Sequence, residues 1–74
     1  MVSPEEIRTR IEAALPGAAV EVEDTTGAGD HFDVHVSAAA FTGKSLVEQH
    51  QLVYGALGNL MTQIHALSLH TAAH

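Results

Sequence analysis

The sequence predicts an α+β domain in the order helix, strand, strand, helix, strand, with the helices packed on one face of a three-stranded mixed sheet. Three observations carry that expectation. A capped apolar stripe opens the chain, and two runs of strict alternation follow it. A second stretch of helical spacing then leads into a final alternating run. Residues 1–74 are expected to form one domain, because a chain this short holds only one thin core.

The first helix begins at Ser3-Pro4-Glu5-Glu6, where Ser3 can cap, Pro4 suits the first helical position and Glu6 completes a capping box. Ile7, Ile11 and Leu15 recur at spacing four, and Pro16-Gly17 ends the run. From Ala18 the period becomes two. Val20 and Val22 face one way while Glu21 and Glu23 face the other. Asp24 to Asp30 is rich in Thr and Gly and reads as a loop. Phe32, Val34 and Val36 then point inward, with His31, Asp33 and His35 outward, so the two runs form an antiparallel hairpin.

Ser37 to Gly43 is a connection anchored to the core by Phe41. Helical spacing resumes from Ser45 to about Met61, with Leu46, Val53, Leu57 and Leu60 as the buried stripe and His50 on the same side. Ile64 to Thr71 returns to a strand pattern, with Leu67 and Leu69 on one face and residues 72–74 frayed. A strand, a helix and a strand suit a parallel crossover, with an antiparallel return as the alternative.

Composition excludes several functions. The net charge is −6, and Arg8, Arg10 and Lys44 are the permanent cations, so the chain lacks the basic cluster that neutralises phosphate backbones. Cysteine is absent, which removes disulfides and any thiolate nucleophile or ligand from this chain. The N-terminal residues lack the basic and apolar regions of a signal peptide, and no apolar run reaches spanning length, so a cytoplasmic location is expected. No enzyme motif stands out. The Thr25–Gly29 loop precedes a strand and has no lysine, so it is not a phosphate loop, and Glu21 and Glu23 share a wet face.

The six histidines are the notable titratable feature. By pattern alone, His31 and His35 are solvated on a strand face, His50 is a hydrogen-bonded core residue, and His70 and His74 are exposed. His65 stands at the junction of the long helix and last strand, and its parity with Leu67 and Leu69 makes it a half-buried structural residue on that reading. Neutral imidazole is also a ligand for iron, copper or zinc.

The segment Phe41-Thr42-Gly43-Lys44-Ser45-Leu46 running on to Tyr54, together with Ile64-His65-Ala66-Leu67-Ser68-Leu69, resembles the BolA family. Val20 to Thr26 leading into His31-Phe32 is similar too, and the likeness covers nearly the whole chain. The resemblance implies a class II KH-like fold and a non-enzymatic adaptor. Such proteins pair with a monothiol glutaredoxin and share a glutathione-dependent [2Fe–2S] cluster, in cluster trafficking or in iron or redox sensing. It places a metal ligand at His65 and a partner-binding surface on Phe41, Gly43, Lys44, Ser45 and His65. The isolated chain is expected to be a monomer without a cluster.

A second family ligand, Cys or His, lies in the loop between the first two strands. Ala28 occupies the position of Cys in some relatives, which leaves His31, or less readily Asp30, to substitute. The resemblance also carries an alternative function, a nucleic-acid-binding transcriptional regulator. Relatives commonly show Arg-His-Arg where this chain has Gln49-His50-Gln51, and the missing arginines weigh against that alternative.

Overall fold

The computed structural model describes residues 2–73. Helix α1 spans Pro4–Ala14, strand β1 Ala19–Asp24, strand β2 His31–Ala38, helix α2 Leu46–Leu57 and strand β3 Ala66–Ala73. The expected α-β-β-α-β order is present. β2 is the central strand, antiparallel to β1 and parallel to β3, so the crossover reading of the last strand holds.

Both helices start on reciprocal caps. The Glu6 amide donates to Ser3 Oγ at 3.1 Å and the Ser3 amide to Glu6 Oε1 at 3.2 Å. Val2, just before this cap, and Ile7, at the fourth helical position, are both fully buried, as in a hydrophobic staple. At α2 the Glu48 amide donates to Ser45 Oγ at 3.2 Å and the Ser45 amide to Glu48 Oε1 at 2.9 Å.

The core lies between the helices and one face of the sheet. Ile7 and Ile11 from α1, Phe32, Val34 and Val36 from β2, and Val53 and Leu57 from α2 are buried there with Phe41. Phe41 closes a 3₁₀ turn over Ala39–Phe41, which confirms it as the anchor of the connection. The other face of the sheet is uncovered by helices, and β1, β2 and β3 present their outward residues there in register. Glu21, His35 and His70 form one cross-strand row, and Glu23, Asp33 and Ser68 the next.

Three boundaries differ from expectation. The long helix ends at Leu57, because Gly58 turns to φ +52°, and a 3₁₀ segment over Gly58–Gln63 still buries Leu60. Leu46 is 61% exposed, so the buried stripe of α2 starts further along and its first turn overhangs the core. Ala72 and Ala73 are not frayed: they pair with Ser37 and Ala38, because β2 is long enough to continue the ladder. His74 lies outside the described residues.

The α2 cap gives a pH-dependent contribution. Hydrogen bonds from the Ser45 backbone, then from its side chain, hold the Glu48 carboxyl below its usual range. A depressed folded pKa stabilises above the ordinary carboxylate value, and the contribution is lost as pH falls through the folded value. In thermal melts, Glu48→Gln should therefore be less stable than the parent at neutral pH and equal to it in acid. Ser45→Ala should cost about 1 kcal/mol at neutral pH.

A paired-histidine edge at the end of the sheet

The loop from Thr25 to Asp30 is built on one side chain. Asp24, the last residue of β1, accepts from the Thr26 and Gly27 amides at 3.3 and 2.8 Å through Oδ1, and from the Gly29 amide at 2.9 Å through Oδ2. A carboxylate satisfying three loop amides fixes the loop path, and Gly27 and Gly29 adopt positive φ within it. The Val2 amide adds a 3.4 Å bond to the Gly29 carbonyl.

Asp30 then ties the loop to the far strand. Its carbonyl accepts from the amides of His65 and Ala66 at 2.8 and 3.0 Å, joining the start of β2 to the start of β3. Its carboxylate contacts His31 Nδ1 at 2.8 Å and accepts from Thr26 Oγ1 at 3.3 Å. An ionised carboxylate only accepts, so Nδ1 of His31 donates to it, and in the neutral ring Nε2 is the nitrogen with the free lone pair. His31 and His65, the two ligand candidates, stand side by side with ring centroids 5.0 Å apart.

His65 is exposed and precedes β3, which corrects the half-buried reading from strand parity. Its backbone is turned toward the Asp30 carbonyl before the alternation begins. Ala28 is exposed and offers no donor atom. Asp30 Oδ1 is shared by His31 Nδ1 and Thr26 Oγ1, which places this carboxylate against the His31 ring.

The expected partner surface divides. Phe41 is wholly buried and its ring supports the turn from inside, so it cannot face a partner. Gly43 takes φ +78° to make the turn, and Lys44 and Ser45 are exposed, with Ser45 also capping α2. Gln49, in the place of a family arginine, is a brace. It donates to the Lys44 carbonyl at 3.0 Å and accepts from Thr71 Oγ1 at 2.6 Å, fastening α2 to β3. His50 is half-buried, edge-on to Tyr54 at 6.3 Å. Its Nε2 is enclosed without a hydrogen-bond partner among the described residues, which corrects the expectation of a hydrogen-bonded core residue.

Sequence reading treats His35 and His70 as separate exposed residues. The parallel register places them opposite each other, with rings stacked at 4.3 Å beside Asp33. The outward parity of both was legible, but the pairing partner of β3 was not.

Fold and edge together define a small α+β domain with a histidine pair presented at one end of a three-stranded sheet. The chain belongs to the BolA-like protein family, whose model matches residues 6–74. It is similar to Protein BOLA2 of Arabidopsis thaliana, with 38% identity over 97% of this chain and 78% of that one. The DNA-binding transcriptional regulator BolA of Escherichia coli is 33% identical over 96% of this chain and 75% of its own. The crystal structure of a Bol-like protein from Babesia bovis superposes with a TM-score of 0.88 at 28% identity, covering 99% of this chain and 86% of that one. Among the described residues no helix is long and apolar enough to cross a membrane.

The Asp30–His31 pair is directly measurable. The hydrogen bond from His31 holds the Asp30 carboxyl below the usual carboxylate range. Its stabilising contribution is therefore present above the ordinary value and lost as pH falls through the depressed one. In an NMR titration the Asp30 carboxyl should have a midpoint below that of a free aspartate, and His31→Ala should raise it. An unmoved midpoint in the variant would show that His31 is not held by Asp30.

Proposed function

We propose that this chain is a non-enzymatic, cytoplasmic adaptor that pairs with a monothiol glutaredoxin and shares a glutathione-dependent [2Fe–2S] cluster with it, in cluster trafficking or in iron or redox sensing. The observation that carries the reading is the His31–His65 pair, 5.0 Å between ring centroids at the end of the sheet. The donor set suits the group: imidazoles replace two thiolates on one iron in Rieske centres, and a partner with thiolates completes what a cysteine-free chain lacks. When bound, such a cluster supplies one-electron redox chemistry at a potential raised by imidazole ligation.

The chain's own residues have divided roles in this reading. His65 is the main ligand. His31 is the second: with Asp30 on Nδ1, Nε2 is the nitrogen left for a ligand role, the outer-shell carboxylate pattern of histidine ligands. Asp24 keeps the loop in place behind both. Gly43, Lys44 and Ser45 form the exposed turn offered to the partner, continued by the exposed Leu46 and Val47.

The nucleic-acid alternative draws on the relative from Escherichia coli, described as DNA-binding. Two of this chain's three cations are already engaged: Arg8 pairs with Glu5, and Arg10 donates to the Leu57 carbonyl at 3.3 Å. The chain alone should bind duplex DNA no more tightly than the roughly micromolar non-specific range at physiological salt. Selective sub-micromolar binding would favour the regulator.

The adaptor reading is tested by visible absorption and circular dichroism of mixtures with a monothiol glutaredoxin, glutathione, iron and sulfide. His65→Ala should abolish the spectrum that distinguishes the mixed complex from the glutaredoxin homodimer, with far-UV circular dichroism unchanged. His31→Ala should alter the same spectrum. A His65→Ala spectrum identical to the parent's would remove the ligand assignment.

A further inference from the structure

The open face of the sheet carries a second group of donors, one row away from the paired-histidine edge. Asp33 and His35 lie two residues apart on β2 and so project on the same side. His70 is the direct partner of His35 across the parallel ladder. The three converge: His70 Nε2 is 3.0 Å from Asp33 Oδ1, and His35 Nε2 is 3.6 Å from Asp33 Oδ2. The two rings are nearly parallel, at 12°, with centroids 4.3 Å apart, so both Nε2 atoms turn to one carboxylate.

We propose that Asp33, His35 and His70 form a binding site for one divalent first-row transition ion, separate from the His31–His65 pair. Two imidazole nitrogens and one carboxylate oxygen are the three-ligand set that leaves a position for water or a further ligand. One donor atom from each residue lies within 4.8 Å of the others. Ligands held ~2.1 Å from a common ion stand about 3.4 Å apart in a tetrahedron. The contraction needed is small, and rotation of exposed side chains provides it: both histidine side chains are 56% exposed.

The approach between His70 and Asp33 is short but not aligned as a hydrogen bond, and Asp33 Oδ1 is shielded from solvent without a hydrogen-bond partner among the described residues. A shielded carboxylate oxygen flanked by two imidazole nitrogens is better satisfied by a cation shared among all three. Glu21 faces His35 in the β1–β2 register and adds negative charge beside the site. A shallow depression bounded by Ala19, Ser37 and Ala72 adjoins His35 and His70, giving access from solvent. Imidazole donors select against magnesium and calcium, which take oxygen ligands.

The test is calorimetric titration of the full chain with ZnCl₂, followed by CoCl₂ monitored by visible absorption. One saturable ion per chain is expected, with cobalt d–d bands. His35→Ala and His70→Ala should each weaken binding by at least the ~10–100-fold that loss of an outer-shell partner costs. His31→Ala and His65→Ala should leave it unchanged. Because His35 and His70 point away from the core, far-UV circular dichroism should be the same for all four variants. No saturable binding, parent-like affinity in His35→Ala and His70→Ala, or loss of binding in His65→Ala would each overturn the site and leave Asp33 as a simple ion-pair partner of two imidazoles.

Discussion

A parallel ladder cannot be closed by a tight turn, and the pairing of β2 with β3 is the constraint on which the other features rest. The chain must leave the end of β2, travel the length of the sheet and re-enter beside the start of β2. Helix α2 and the 3₁₀ segment after it make that journey, and packing Val53, Leu57 and Leu60 on the sheet holds them there. Re-entry is fixed by the Asp30 carbonyl, which accepts from both His65 and Ala66. The same two bonds that start the ladder bring His65 beside His31, so the histidine pair is a consequence of the crossover's landing point.

The landing point depends in turn on a loop with no core of its own. Asp24 organises it through three amides, and Asp30 passes that order to His31 through its carboxylate and to His65 through its carbonyl. Phe32 and Ile64, beside the two histidines in sequence, anchor the strands to the core. Hydrogen bonds set the rest, and those accepted by the Asp24 and Asp30 carboxylates are stronger than neutral ones. This explains how the half-buried His31 and the exposed His65 keep a defined spacing.

The architecture was legible because period and capping agree at every element. Ser3 with Glu6 and Ser45 with Glu48 mark the helix starts, and the inward set Phe32, Val34 and Val36 assigns the faces of β2. What escaped depends on partners far apart in sequence. His65 shares parity with Leu67 yet lies before the strand, because the Asp30 carbonyl sets where the ladder begins. Leu46 matches the helical stripe but overhangs the core, since spacing says which face a residue takes and nothing of where the sheet ends. The His35–His70 contact needs the parallel register, which the alternation of either strand alone does not contain.

A domain of this size has enough helix to cover only one face of its sheet, and that fact gives the outward histidines their meaning. On the covered face a polar substitution would cost several kcal/mol through desolvation. On the bare face the outward side chains of β2 and β3 contribute little to the core, and many polar residues would serve equally well as solvated surface. Solubility on its own selects no particular polar residue there. Four of the six histidines nevertheless fall at the landing point or on the bare face, and they are found in two contacting pairs, His31 with His65 and His35 with His70. Each pair has an aspartate on a ring nitrogen, Asp30 in the first and Asp33 in the second. Neighbouring imidazoles repel when both are protonated, so pairing them gives no advantage as bare surface. Under the proposed ligand roles the pairing has a use, because two imidazole lone pairs can then serve a common acceptor in a chain without cysteine.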